Sequence, residues 1–204
     1  MVNRYMKLIN AEYDQSVAPS LDLDEITRKS ILDKYKLDNQ NKIRDLSSHV
    51  NDLNPSTLTL SNLTSWAKID LEKLPEINNN LRIGSCINKP SNILCIGLNY
   101  SLHAKQTGSK LPKYPIVFNK SPDCIQGPYD PIKKSKTQEK LDYEVELALV
   151  IGKEAKNISE EEASSYIFGY CAVNDVSERE WQIEKLGQWV KGKSGDTFGP
   201  TGPY

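Results

Sequence analysis

The chain has 204 residues, and 26 lysines and arginines nearly balance 27 aspartates and glutamates for a net charge of −1. That length suits one sizeable core, or a small domain followed by a larger one. The balance excludes the basic field of a nucleic-acid binder, and no apolar run has the length of a membrane span or the shape of a signal-peptide core.

Residues 1–36 are polar with weak periodicity, and 26–35 is the one stretch there that reads as a short helix, capped near Asp24. Residues 36–46 read as two short strands joined at Asp38-Asn39-Gln40-Asn41. A helix is predicted over 56–74, with Leu60, Leu63 and Ala67 on one face and Pro75 ending it. We place a small N-terminal domain over 1–84 and the main body over 85–204. The body opens with an apolar strand, 93–98, that runs into Asn99-Tyr100-Ser101-Leu102-His103. Polar clusters at strand ends are common homes for site residues. A short strand at 116–118 then delivers Asn119 and Lys120.

In the stretch 141–151 the second half is apolar, while the first half carries Glu144 and Glu146. In a strand these two share a face. Side by side at the mouth of an apolar strand, two ionised carboxylates repel and lose hydration. A divalent cation with oxygen ligands would resolve that conflict, and so would a strand end that faces water. A second apolar run, 168–174, ends in Asp175 and offers a third carboxylate. Ser159 and Glu162 form a capping box expected to open a helix to about residue 167, so the acidic run 160–162 is read as structural. Another short helix is expected from 177 to about 187. Residues 187–194 satisfy the phosphate-loop pattern G-x-x-x-x-G-K-S/T, but no buried strand precedes them, Gly195 and Gly199 would break the required helix, and Trp189 and Val190 are bulky where amides should wrap a phosphate. Cys86, Cys95, Cys124 and Cys171 lack a C-x-x-C pair and read as reduced thiols of a cytoplasmic protein.

Five motifs, in order, resemble the fumarylacetoacetate hydrolase family. They are Ile96-Gly97-Leu98-Asn99-Tyr100 with His103, Val117-Phe118-Asn119-Lys120, Asp142-Tyr143-Glu144-Val145-Glu146-Leu147, Asn174-Asp175-Val176-Ser177-Glu178-Arg179, and Gly192-Lys193 with Asp196-Thr197-Phe198-Gly199-Pro200. The resemblance covers 37–204. It implies an α+β, β-rich fold, a rolled mixed β-sheet catalytic domain behind a small N-terminal domain, and a homodimer when full length. The sheet is expected to be incomplete at the C-terminus, because the family continues beyond residue 204.

The resemblance also assigns roles. Glu144, Glu146 and Asp175 correspond to metal ligands, and their hard oxygen chemistry suits Mg²⁺, with Mn²⁺ or Ca²⁺ as alternatives. His103 corresponds to the histidine that activates water, Lys193 to the active-site lysine, and Gln182 and Lys120 to substrate contacts. Gln106 stands where the family commonly has a glutamate that orients the histidine, and an amide cannot stabilise an imidazolium by charge. The implied activity is Mg²⁺-dependent hydrolysis of a carbon–carbon bond in a 2,4-dioxo acid, of the acylpyruvate or 2,4-dioxo-3-deoxy sugar acid type. The alternatives are a ureidoglycolate lyase, an oxo-acid decarboxylase or isomerase with the same metal site, or an impaired relic that binds metal and oxo acid. The expected partner is a small oxo acid, with neither nucleic acid nor membrane.

Overall fold

The computed structural model describes residues 6–10, 44–77, 82–106 and 108–202, with backbone alone for 6–10 and for Leu102, His103 and Gln106. Its frame is a five-stranded mixed sheet in the order β3-β2-β1-β6-β7. The strands are β1 (Met6–Asn10), β2 (Ile93–Gly97), β3 (Ile116–Lys120), β6 (Val145–Ile151) and β7 (Ile167–Asn174). Strand β1 lies parallel to β2 and antiparallel to β6, while β2/β3 and β6/β7 are antiparallel. The fold is thus α+β and β-rich, as expected. The place of β1 in the middle of the sheet was not expected, since five residues are too few to show a period.

Two small sheets flank the large one: β4 (Ile125–Gln126) with β9 (Gly199–Pro200), and β5 (Leu141–Asp142) with β8 (Ser177–Glu178). The helical pieces are short: α1 (Leu60–Trp66), α2 (Ser101–Gln106), α3 (Trp189–Lys193) and a π-helical turn at Glu180–Glu184. Among the described residues no helix is long and apolar enough to cross a membrane. The core gathers Ile93, Cys95, Ala148, Phe168, Val173 and Phe198 between the large sheet and the segments packed on it. Burying a Phe or Ile in this way stabilises the fold by about 1.5–3 kcal/mol each.

Local expectations were corrected in three places. The helix predicted over 56–74 shrinks to α1, capped by the Thr59 side chain, and a 3₁₀ turn at Leu71–Lys73. The capping box at Ser159 and Glu162 forms in both directions, at 3.1 and 3.3 Å, yet only a 3₁₀ turn at Ala163–Tyr166 follows it. Ile167 is already claimed by pairing with Ile151 at the start of β7, and sheet pairing wins over a helix so short of room. The expected helix from 177 begins instead as strand β8 and continues as the π turn. Of the strands expected over 36–46, residues 36–43 lie outside the described residues, and Arg44 pairs with Glu76 as an isolated bridge. The helix expected over 26–35 also lies outside them.

Candidate active site

The stretch 141–151 is not one strand: it breaks at Tyr143 and Glu144 between β5 and β6. The alternation survives the break, so Glu144 and Glu146 point inward while Tyr143 and Val145 stay exposed. Glu144 is pinned to the end of β7, because its N–H donates to Asn174 Oδ1 at 3.2 Å and its carbonyl accepts from the Asp175 N–H at 2.9 Å. This is how the three predicted carboxylates come to line one cavity of about 510 Å³.

Two buried lysines meet them. Lys193, at the end of α3, donates to Glu144 Oε2 at 2.7 Å and to Asp175 Oδ2 at 2.8 Å. Lys120, at the end of β3, lies 2.7 Å from Asp175 Oδ1 and also donates to the carbonyls of Val176 and Lys193. Lys120 is not among the residues that line the cavity. Its ammonium is engaged by these protein groups, so it holds Asp175 and α3 in place. Gly192 is explained by packing rather than by phosphate. A Cβ there would come within 2.6 Å of the Gln182 backbone nitrogen, so only glycine lets α3 close onto the π turn and carry Lys193 inward. Together with the buried Lys193, this supports setting the phosphate-loop reading aside.

Arg179 was given no role by the sequence reading. Its Nη2 lies 2.6 Å from Glu144 Oε1 and 2.7 Å from Asp142 Oδ2, and its Nη1 donates to Gln182 Oε1 at 2.9 Å. With Oε1 engaged, the amide NH₂ of the buried Gln182 remains as a donor in the cavity wall. Asp142 accepts from the Tyr143 N–H at 3.0 Å and also anchors this guanidinium. The signal available in sequence was an arginine three residues before Gln182, the helical spacing that lets two side chains meet. His103 sits on α2, and its side chain and that of Gln106 lie outside the described residues. His49 is exposed, as expected.

The electrostatics follow from this geometry. Burial alone would raise the Asp175 pKa, but the ammoniums of Lys120 and Lys193 outweigh it and hold the carboxyl below its ordinary value. Glu146 goes the other way: burial, with Glu144 and Asp175 nearby, pushes it up to about 8. Burial raises the Cys95 thiol far above its ordinary range, so this cavity-lining cysteine is no nucleophile at neutral pH.

The chemistry of the donor set, carboxylate oxygens in one cavity, is that of a hard divalent ion. Asp142, Glu144, Glu146 and Asp175 face three cations, Lys120, Lys193 and Arg179, and Glu146 makes no hydrogen bond or ion pair among the described residues. Asp175 Oδ1 is buried against the Lys120 ammonium, 2.7 Å away. A carboxylate without a partner, such as that of Glu146, is what a hard cation binds. Among the described residues no three carboxylate, histidine or cysteine side chains are already gathered to hold a metal ion; Glu144 and Asp175 are paired with Lys193 and Arg179 or Lys120.

Comparison with known proteins gives the following. The family model for the fumarylacetoacetate (FAA) hydrolase C-terminal region matches residues 92–204. A protein of Burkholderia ambifaria, whose name is no more specific than hydrolase, is 49% identical over 168 residues, covering 82% of this chain and 60% of the relative. The chain therefore spans about 60% of the length of the curated relatives it matches. Among solved structures, the fumarylacetoacetate hydrolase of Exiguobacterium antarcticum is 32% identical with a TM-score of 0.66, covering 78% of this chain and 57% of that one. A probable 2-hydroxyhepta-2,4-diene-1,7-dioate isomerase from Mycobacterium abscessus is 32% identical with a TM-score of 0.60, covering 73% and 52%.

Proposed function

The chain belongs to the fumarylacetoacetate hydrolase family, and from that premise we propose that it hydrolyses a carbon–carbon bond in a 2,4-dioxo acid. The observation that carries this reading is a cavity in which Glu144, Glu146 and Asp175 lie beside the buried Lys193, with the Glu146 carboxylate short of a partner among the described residues. Members of the family generally use a divalent metal. Glu144, Glu146 and Asp175 would hold it here, Mg²⁺ before Mn²⁺ or Ca²⁺, and once bound it would polarise the oxygens of the 2-oxo acid.

The chain's own groups do the rest. His103 removes a proton from water, and the hydroxide attacks the distal carbonyl carbon. The carbon–carbon bond breaks with its electron pair passing to the 2-oxo-acid fragment as an enolate. Lys193 stabilises that charge, and the Gln182 amide donates to the substrate from its fixed orientation. The proton held by His103 returns to the enolate carbon, which closes the balance at one water consumed and two acids released. Gln106 can orient His103 by a hydrogen bond but adds no charge to steady the imidazolium, so the step is slower than with a glutamate.

A second reading is isomerisation of an unsaturated oxo acid, favoured by the likeness to the Mycobacterium abscessus protein. It would use the same proton transfer without attack by water. Assays with acylpyruvates, a 2,4-dioxo-3-deoxy sugar acid, ureidoglycolate and a dienoic oxo acid, each with Mg²⁺ and with EDTA, separate the two. Turnover of a dioxo acid that needs Mg²⁺ and is lost in Glu146→Gln is expected; turnover of the dienoic acid alone would replace hydrolysis by isomerisation.

A further inference from the structure

The cavity lining is of two chemical kinds. The carboxylates, Arg179, Lys193 and Gln182 make a polar part; Ile96, Leu98, Phe118, Ile183 and Trp189 make an apolar wall, and the two meet where the Lys193 ammonium lies 5.4 Å from the Phe118 ring centre. The apolar wall is specifically made. Trp189 stands edge-on to Phe118, with ring centres 5.1 Å apart and planes at 71°. Strand β2 makes way for the indole with Gly97, where a Cβ would come within 2.7 Å of the six-membered ring. The next residue, Leu98, is held at φ 48°, a backbone conformation that leucine rarely adopts. At the mouth, Ile183 lines the cavity yet remains 60% exposed, next in sequence to the buried Gln182. Ile183 thus presents an aliphatic side chain to whatever occupies the cavity.

Resting on the oxo-acid reading above, we propose that the substrate's acyl end is apolar, an alkyl or aryl group seated against Trp189, Phe118 and Ile183. The polar part takes the oxo-acid end. This selects acylpyruvate-type acids over polyhydroxylated sugar acids, because most of the hydroxyls of a sugar chain would lose water here and find no partner among these side chains. Ile183 and Trp189 are then the specificity residues.

The test is calorimetric binding, with Mg²⁺ present, of oxamate and a series of N-alkyl oxamates to the whole chain and to Ile183→Asn. Ile183 is exposed, so that variant keeps its core. Affinity is expected to rise about fourfold for each added methylene, and Ile183→Asn is expected to cut that gain at least twofold. In parallel kinetics, lengthening the acyl chain of an acylpyruvate should lower KM with little change in kcat. Flat affinity along the series, or a 2,4-dioxo sugar acid preferred over acylpyruvates, overturns the proposal. Graded binding without turnover of any dioxo acid sustains the apolar site and removes the hydrolase reading. Failure of every oxamate to bind sinks both.

Discussion

Two buried glutamates in neighbouring parts of the molecule are held in opposite ways. In the corner formed by β5 and β8, the Glu178 carboxylate is fully buried and takes the N–H of Lys140 at 3.1 and 3.0 Å and the N–H of Glu180 at 3.2 Å. In the cavity, Glu146 is 7% exposed and its carboxylate makes no hydrogen bond or ion pair among the described residues. Burial is common to both, so burial does not mark the site. The missing partner does: Glu178 is a structural acid that caps the π turn, while Glu146 carries an unmet demand for a proton or a cation.

The largest expected effect tests the cavity side. The folded state raises the Glu146 pKa from 4.5 to about 8, so the folded protein holds this proton more tightly than the unfolded chain. Stability from this group is therefore full below pH 4.5, falls as pH rises, and levels off above about 8. In EDTA, Glu146→Gln should remove that slope and be more stable than the parent at pH 9 by a few kcal/mol. Urea unfolding of both proteins from pH 5 to 9 reads the difference, and parallel curves would show that Glu146 has a partner after all.

A smaller effect of opposite sign is expected on the corner side. Glu178→Gln places an NH₂ where two backbone N–H groups point and should lose about 1.5–3 kcal/mol, seen as a lower urea midpoint at unchanged slope. A gain of stability in that variant would break the contrast. The smallest effect belongs to the exposed pair Lys73–Asp70, 3.0 Å apart with both side chains largely in water. Lys73→Ala should leave the midpoint where it was, and a clear shift would mean that simple ion pairing matters more here than unmet burial.

Much of the site could be read from residue spacing and motif order. Alternation along 141–151 put Glu144 and Glu146 on one face, and the structure keeps them there despite the break at Tyr143. The strands at 93–97 and 116–120 lie where apolar runs announced them. What spacing could not show was competition. The capping box at Ser159 is locally sound, but pairing of Ile167 with Ile151 claimed the residues a helix would have needed. Strand β1 is too short for any pattern and is a strand because β2 and β6 accept it between them.

The sequence by itself determined the family, the β-rich class and the acidic trio, because these depend on side-chain periodicity and motif order, which are local properties of the chain. Only the tertiary structure decided that Lys120 pairs with Asp175, that Arg179 joins Asp142, Glu144 and Gln182, and that Gly97 makes room for Trp189. Apart from Arg179 with Gln182, those are pairings between residues tens of positions apart. Their energies depend on distance and burial in space, and neither can be read along a chain.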